Sequence, residues 1–219
     1  MTFLKHPSCA LAILICLVVL GCQSIVAQEV KTSSPTPKVQ PDEEIVVIVT
    51  KYGKVKIQLF PDVAPKHVEN FKKLIKQGFY NGIAFHRAIP TLFVQGGDPN
   101  TKSKDRSTWG MGDDKLEKIN AEFNDRAFVK GTLGAARAQD PNSASTQFFI
   151  CVNAYPNWNG AYTNFGQVIA GIRTVEQMTM APTDRQERLK AKIVMTKVYL
   201  EKYQKPIRSQ SKAKRRKPK

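Results

Sequence analysis

Between residues 45 and 200 the chain is a series of short apolar runs, most of them too brief for a helix and bounded by turn residues. IVVIVT and KVKIQLF flank Lys51-Tyr52-Gly53, a spacing that predicts a β-hairpin. Further strands are expected at 83–89, 93–97, 131–137, 146–152 and 165–170, with KIVMTKVYL as the last. Two segments carry helical spacing instead. VAPKHVENFKKLIKQGFY repeats Val68, Phe71, Leu74 and Ile75, with Pro65 suited to a first turn and Gly78 to a stop. IRTVEQMTM reads as a second helix. So many antiparallel strands must hide their edges, and closing the sheet on itself does so. The pattern predicts a mainly β domain of about eight strands, a closed β-barrel with two helices.

With 219 residues the chain can form one domain with a full core, plus tails. Lys5 and His6 precede the apolar run CALAILICLVVL, which is shorter than the ~20 residues a membrane span requires. It fits the apolar stretch of a secretory signal at 1–27. Val19-Leu20-Gly21-Cys22 resembles a bacterial lipobox, in which the signal ends at 21 and Cys22 carries a lipid anchor. Ile25-Val26-Ala27 suits an ordinary signal peptidase, and both readings stay open. Residues 28–44, with three prolines, read as an extended spacer, and 45–203 as the domain. Of the net charge of +16, the tail at 204–219 holds eight Lys/Arg and no acid, so it has the chemistry to contact anionic surfaces. The expected location is outside the cytoplasm: periplasmic, anchored in the envelope, or secreted. Three of the four cysteines are in the leader, so Cys151 has no partner within the domain and reads as a small buried residue.

FHRAIPTLFVQGGDPN, residues 85–100, sets His86, Arg87 and Gln95 among apolar residues and ends in a turn. An arginine there is costly unless it is paired or has a task. Several chemistries do not fit. No Cys or His pair has metal-ligand spacing, and no metal or cofactor is expected. Ser143 and Ser145 lack a G-x-S-x-G turn. Gly110-Met111-Gly112 is not a phosphate loop, and the GxxG at Gly131–Gly134 opens a strand rather than joining helices. An apolar groove with one cationic donor and amide side chains remains. It can bind an extended apolar peptide and act electrostatically on an amide bond.

FHRAIPTLFVQGGDP and GTLGAARAQDPNSASTQFFICV resemble the two signature segments of the cyclophilins, a family of peptidyl-prolyl cis–trans isomerases, and NWNGAYTNFGQV resembles a third. The similarity runs over about 45–200 and implies a mainly β fold, a closed eight-stranded antiparallel β-barrel capped by two α-helices, in agreement with the strand count. It also implies proline-containing polypeptide substrates and a catalytic set of Arg87, Gln95 and Phe149. Arg87 would hydrogen-bond the twisted amide nitrogen, and Gln95 would orient Arg87 or hold the substrate carbonyl. Phe149 and Phe93 would line the proline pocket. Gln147 would contact the substrate backbone, and Ala136 and Arg137 match the strand that pairs with it. His86, Ile89, Leu92, Trp158 and Tyr162 complete the substrate-binding candidates. The chain departs from the family in having Leu92-Phe93 where Phe-Met is common, and its Trp158 is displaced by one position. Asn159 replaces an Asp, and Tyr162 stands where many eukaryotic members have His.

A different class of function fits the same barrel, a module or holdase that binds proline segments without turnover. A third rests on the tail, as a nucleic-acid or anionic-lipid binder. A closed barrel has no edge needing a partner, so a monomer is expected.

Overall fold

The computed structural model describes residues 39–204. The leader with Cys22, most of the spacer and the tail from 205 lie outside the described residues. β1 (Glu44–Thr50) and β2 (Gly53–Leu59) form the expected hairpin, with Val46 opposite Ile57 and Ile48 opposite Val55. Helix α1 (Pro65–Lys76) follows, then β3 (Ala84–Ile89), β4 (Phe93–Gly96), β5 (Thr132–Ala135), β6 (Phe148–Cys151) and β7 (Asn164–Ala170). Helix α2 (Ile172–Thr179) leads to β8 (Arg188–Val194) and β9 (Lys197–Lys202). Two short 3-10 turns, Pro99–Lys102 and Arg106–Thr108, lie in the long polar segment between β4 and β5.

All nine strands belong to one antiparallel sheet, ordered β8-β3-β4-β6-β5-β7-β2-β1-β9. The count is nine rather than eight because KIVMTKVYL is not one strand. Its first half pairs with β3 and its second with β1. The exchange falls at Met195-Thr196, where the Met195 N–H donates to the Ile83 carbonyl and the Thr196 N–H to the Val49 carbonyl, each at 2.8 Å. The two ends of the sheet order are thus successive pieces of one bent segment, so the sheet curls round and the chain itself joins its two edges. Buried residues mark the bend: Ile193 and Met195 are two apart, whereas Val198 comes three later.

The main core gathers the inner faces of the sheet and both helices. Phe71 of α1 meets Tyr80, Phe148 and Phe165 edge-on, with ring centroids 5.0, 5.4 and 5.5 Å apart. Pro65 opens α1, whose N-cap, Ala64, offers no side-chain acceptor. Glu122, far along the chain, supplies one. Its carboxylate accepts the Lys66 and His67 N–H groups at 3.0 Å each and the His67 ring Nδ1 at 2.6 Å. Burial lowers the His67 pKa against the pull of Glu122, so the ring is neutral at pH 7. Burial works to raise the Glu122 pKa, but the hydrogen bonds from His67 and the backbone outweigh it and hold the carboxyl below the usual range. At the other end of the described region, Tyr203 exchanges backbone bonds with Asp42 and Glu43.

Candidate active site

One cross-strand row carries the catalytic candidates. Arg87 on β3 lies opposite Gln95 on β4, Gln95 opposite Phe149 on β6, and Phe149 opposite Gly134 on β5. Partners in such a row project to the same face. Two residues along, Ile89, Phe93 and Cys151 form a parallel row. Alternation along β6 divides neighbouring phenylalanines between two clusters: Phe148 enters the main core and Phe149 a second one with Phe93, Phe128 and Cys151.

That second cluster is an aromatic basin. The Phe149 ring lies 5.7 Å from Phe93, 6.0 Å from Phe128, 5.3 Å from Trp158 and 5.6 Å from Tyr162. Ile89, Leu92 and Ala136 pack against its margin. The shifted Trp158 therefore joins the aromatic wall, stacked on Tyr155 at 4.7 Å, and the Tyr155 hydroxyl donates to the Thr91 carbonyl at 2.5 Å. Asn159 accepts the Phe128 N–H through Oδ1 at 2.7 Å, a task that needs an oxygen but no charge. Beneath the basin, burial raises the Cys151 pKa far above its usual value, so the thiol stays protonated and unreactive.

Arg87 stands at the edge of the basin, its guanidinium carbon 5.1 Å from the Phe93 ring centroid. The side chain is 40% exposed and paired with Glu187. Glu187 Oε2 accepts from Nε at 2.9 Å and also from Nη2. Gln95, directly opposite Arg87, donates from Nε2 to Gln147 Oε1 at 3.1 Å. Gln147 in turn donates to the Gly110 carbonyl at 3.1 Å, tying the row to the polar loop.

The remaining candidates divide by exposure and bonding. The Ala136 N–H donates to the Gln147 carbonyl at 3.0 Å, just beyond the end of β5. Arg137 donates to the carbonyls of Ala138, Gln139 and Ala161 and lies 4.7 Å from the Tyr162 ring centroid, so its side chain braces the loop under the basin. His86 is only 2% exposed and sits where the β3 ladder shifts register between Phe85 and Arg87. Burial depresses its pKa to about 4, opposed by Asp98 and assisted by Arg87, so the ring is neutral at pH 7.

Phe128, Tyr155 and Glu187 were not among the sequence candidates. Phe128 is an isolated aromatic after the polar excursion, and only the folded sheet brings it to Phe149. Nothing in the local pattern around Glu187 distinguishes it from a surface acid. Together these residues offer an apolar basin beside a guanidinium and a bridged amide pair.

Fold and basin together define a cyclophilin. The sequence profile of the cyclophilin type peptidyl-prolyl cis-trans isomerase/CLD family matches residues 45–200, and the chain belongs to that family. A probable peptidyl-prolyl cis-trans isomerase of Brucella suis is 44% identical over 140 residues, covering 62% of this chain and 71% of that one. A peptidyl-prolyl cis-trans isomerase of Acinetobacter baylyi is 38% identical over 144 residues, 64% of this chain and 73% of its own. Among solved structures, a Cryptosporidium parvum cyclophilin type peptidyl-prolyl cis-trans isomerase, crystallised in the presence of the dipeptide Ala-Pro, superposes with a TM-score of 0.65. It is 29% identical and covers 73% of this chain and 99% of its own. The chain is therefore a cyclophilin-type peptidyl-prolyl isomerase.

Proposed function

We propose that this isomerase accelerates Xaa-Pro rotation in exported proteins, with Arg87 stabilising the twisted amide. Resonance gives the peptide bond a rotational barrier of about 18–20 kcal/mol. At Xaa-Pro the two planar forms are close in energy, so a catalyst has two useful states to connect. No covalent bond changes. In the twisted state the nitrogen becomes pyramidal and regains its lone pair. A guanidinium N–H aimed at that lone pair stabilises the twisted form more than either planar one, and only such differential binding raises the rate. Each tenfold in rate needs about 1.4 kcal/mol, within reach of a charge-assisted hydrogen bond.

The observation that carries this reading is the position of Arg87, over Phe93 and in one row with Gln95 and Phe149 beside the aromatic basin. A proline ring seated against Phe149 would bring its amide within reach of the guanidinium. Export rests on the leader alone, and mass spectrometry of the mature N-terminus separates a lipid on Cys22 from cleavage after Ala27. NMR exchange spectroscopy on a short Ala-Pro peptide tests the mechanism. Exchange catalysed by the wild type and nearly lost in Arg87→Ala supports it. Binding without catalysis by a folded wild type hands the barrel to the binding-module reading.

A further inference from the structure

We propose that Glu187 is the positioning residue for Arg87, an inference that rests on the catalytic reading of Arg87 above. A guanidinium carries five N–H donors, and its usefulness depends on which of them face the substrate. Glu187 Oε2 takes the Nε donor and one from Nη2, which share one edge of the fork. The ring of Phe93 lies against the group at 5.1 Å. One edge and one face are thereby held, and the opposite edge, with both Nη1 hydrogens, is left for the substrate. Among the described residues no acceptor meets Nη1.

The backbone that carries this half-exposed carboxylate is fixed. Glu187 donates its N–H to the Asp184 carbonyl at 3.0 Å, and its own carbonyl accepts the N–H of Ala88, the residue after Arg87, at 3.1 Å. The next residue, Arg188, is the register partner of Arg87 between β8 and β3. Arg188 binds Asp184 at 3.0 Å and so does not divert the Glu187 carboxylate. The clamp is therefore built into the same strand frame as the arginine it holds.

Backbone geometry adds an independent argument. Glu187 has φ 62°, in the left-handed region that glycine enters freely and a glutamate rarely does. Glycine would relieve the turn, but it could not supply the carboxylate. Gln95, directly opposite Arg87, spends its amide N–H on Gln147. The orienting role open to Gln95 in the sequence thus falls to Glu187 in the fold.

Exchange spectroscopy with an Ala-Pro peptide, run on full-length wild type, Glu187→Gly, Glu187→Gln and Arg87→Ala, tests this. Glycine suits the φ of this position, so Glu187→Gly keeps the turn. It should slow exchange at saturating peptide by about two- to fivefold, the worth of one half-exposed charged pair, with peptide affinity within about twofold of wild type. The Arg87 Nε–H resonance should move toward that of a free arginine. Glu187→Gln, whose amide oxygen can accept the same two N–H groups, should recover part of the rate. Wild-type or faster exchange in Glu187→Gly, or a loss confined to affinity with an unmoved Arg87 resonance, overturns the proposal. If Arg87→Ala is inactive while Glu187→Gly matches wild type, only the role of Glu187 fails. If Arg87→Ala keeps its activity, the catalytic reading fails and this proposal with it.

Discussion

Gly134 faces Phe149 so closely that a Cβ on the glycine would sit 2.3 Å from the tip of the phenylalanine ring. The absence of a side chain at Gly134 is what leaves room for the Phe149 ring, in contact with Phe93, Phe128, Trp158 and Tyr162. Gly134→Ala should therefore displace the ring. We expect a stability loss of about 1–3 kcal/mol from overpacking and a fall in isomerisation of about tenfold or more. Urea denaturation together with peptide exchange checks both. An unchanged Phe149 ring spectrum with full activity would show that the strands can separate to admit the methyl.

Gln95 and Gln147 form a bridge to the Gly110 carbonyl at the margin of the basin. Removing one neutral hydrogen bond here should cost about 1 kcal/mol, or roughly fivefold in rate. Gln95→Ala and Gln147→Ala break the same bridge, so the double variant should lose less than the sum of the two. A double-mutant cycle on the exchange rate reads the coupling, and strict additivity would show that each amide acts alone.

Glu122 caps α1 from a distant loop. Glu122→Ala leaves the Lys66 and His67 N–H groups and the buried His67 ring without their shared acceptor. A loss of about 1–3 kcal/mol is expected, with the catalytic rate nearly unchanged because the pair lies outside the basin. Thermal unfolding and exchange assays on the same variant separate these effects.

Stability should fall on acidification before the ordinary carboxylate range is reached. His86 has its pKa lowered from 6.5 to about 4 in the folded protein. Between those values the unfolded chain holds the proton and the folded chain does not, so falling pH favours unfolding. Integrated over the window, this group alone contributes about 3 kcal/mol of stability at pH 7 that is lost as pH drops through it. The His67 shift acts in the same direction. An NMR titration should find the His86 ring neutral until about pH 4, with the urea midpoint declining from pH 7 downward. A ring that titrates near 6.5 would remove this contribution.

Much of the fold was written locally. Pro65 and Gly78 bracket α1 because one supplies a helical φ without a needed N–H and the other a left-handed stop, here at φ 69°. Gly97 was legible as a turn, and its reason is tertiary: at φ 93° a Cβ there would sit 2.4 Å from the Thr146 carbonyl oxygen. The strand runs from 45 to 170 were readable because alternation is a property of neighbouring residues. The last expected strand, KIVMTKVYL, is two strands in the fold. Apolar alternation records which residues face inward but not which strand lies alongside, and the exchange from β3 to β1 is a matter of partner.

Residue type and short spacing were enough for most of the elements, for the family and for the set of aromatic and polar residues from which a site could be made. Which residues of that set act together depends on long-range packing. Phe148 and Phe149 had to take opposite faces, but packing chose Phe149 for the basin. Glu187 comes to Arg87 across 100 residues, and Glu122 reaches His67 across 55. Such pairs form because a curled sheet brings distant strands and loops into register, and no local pattern of side chains encodes that register.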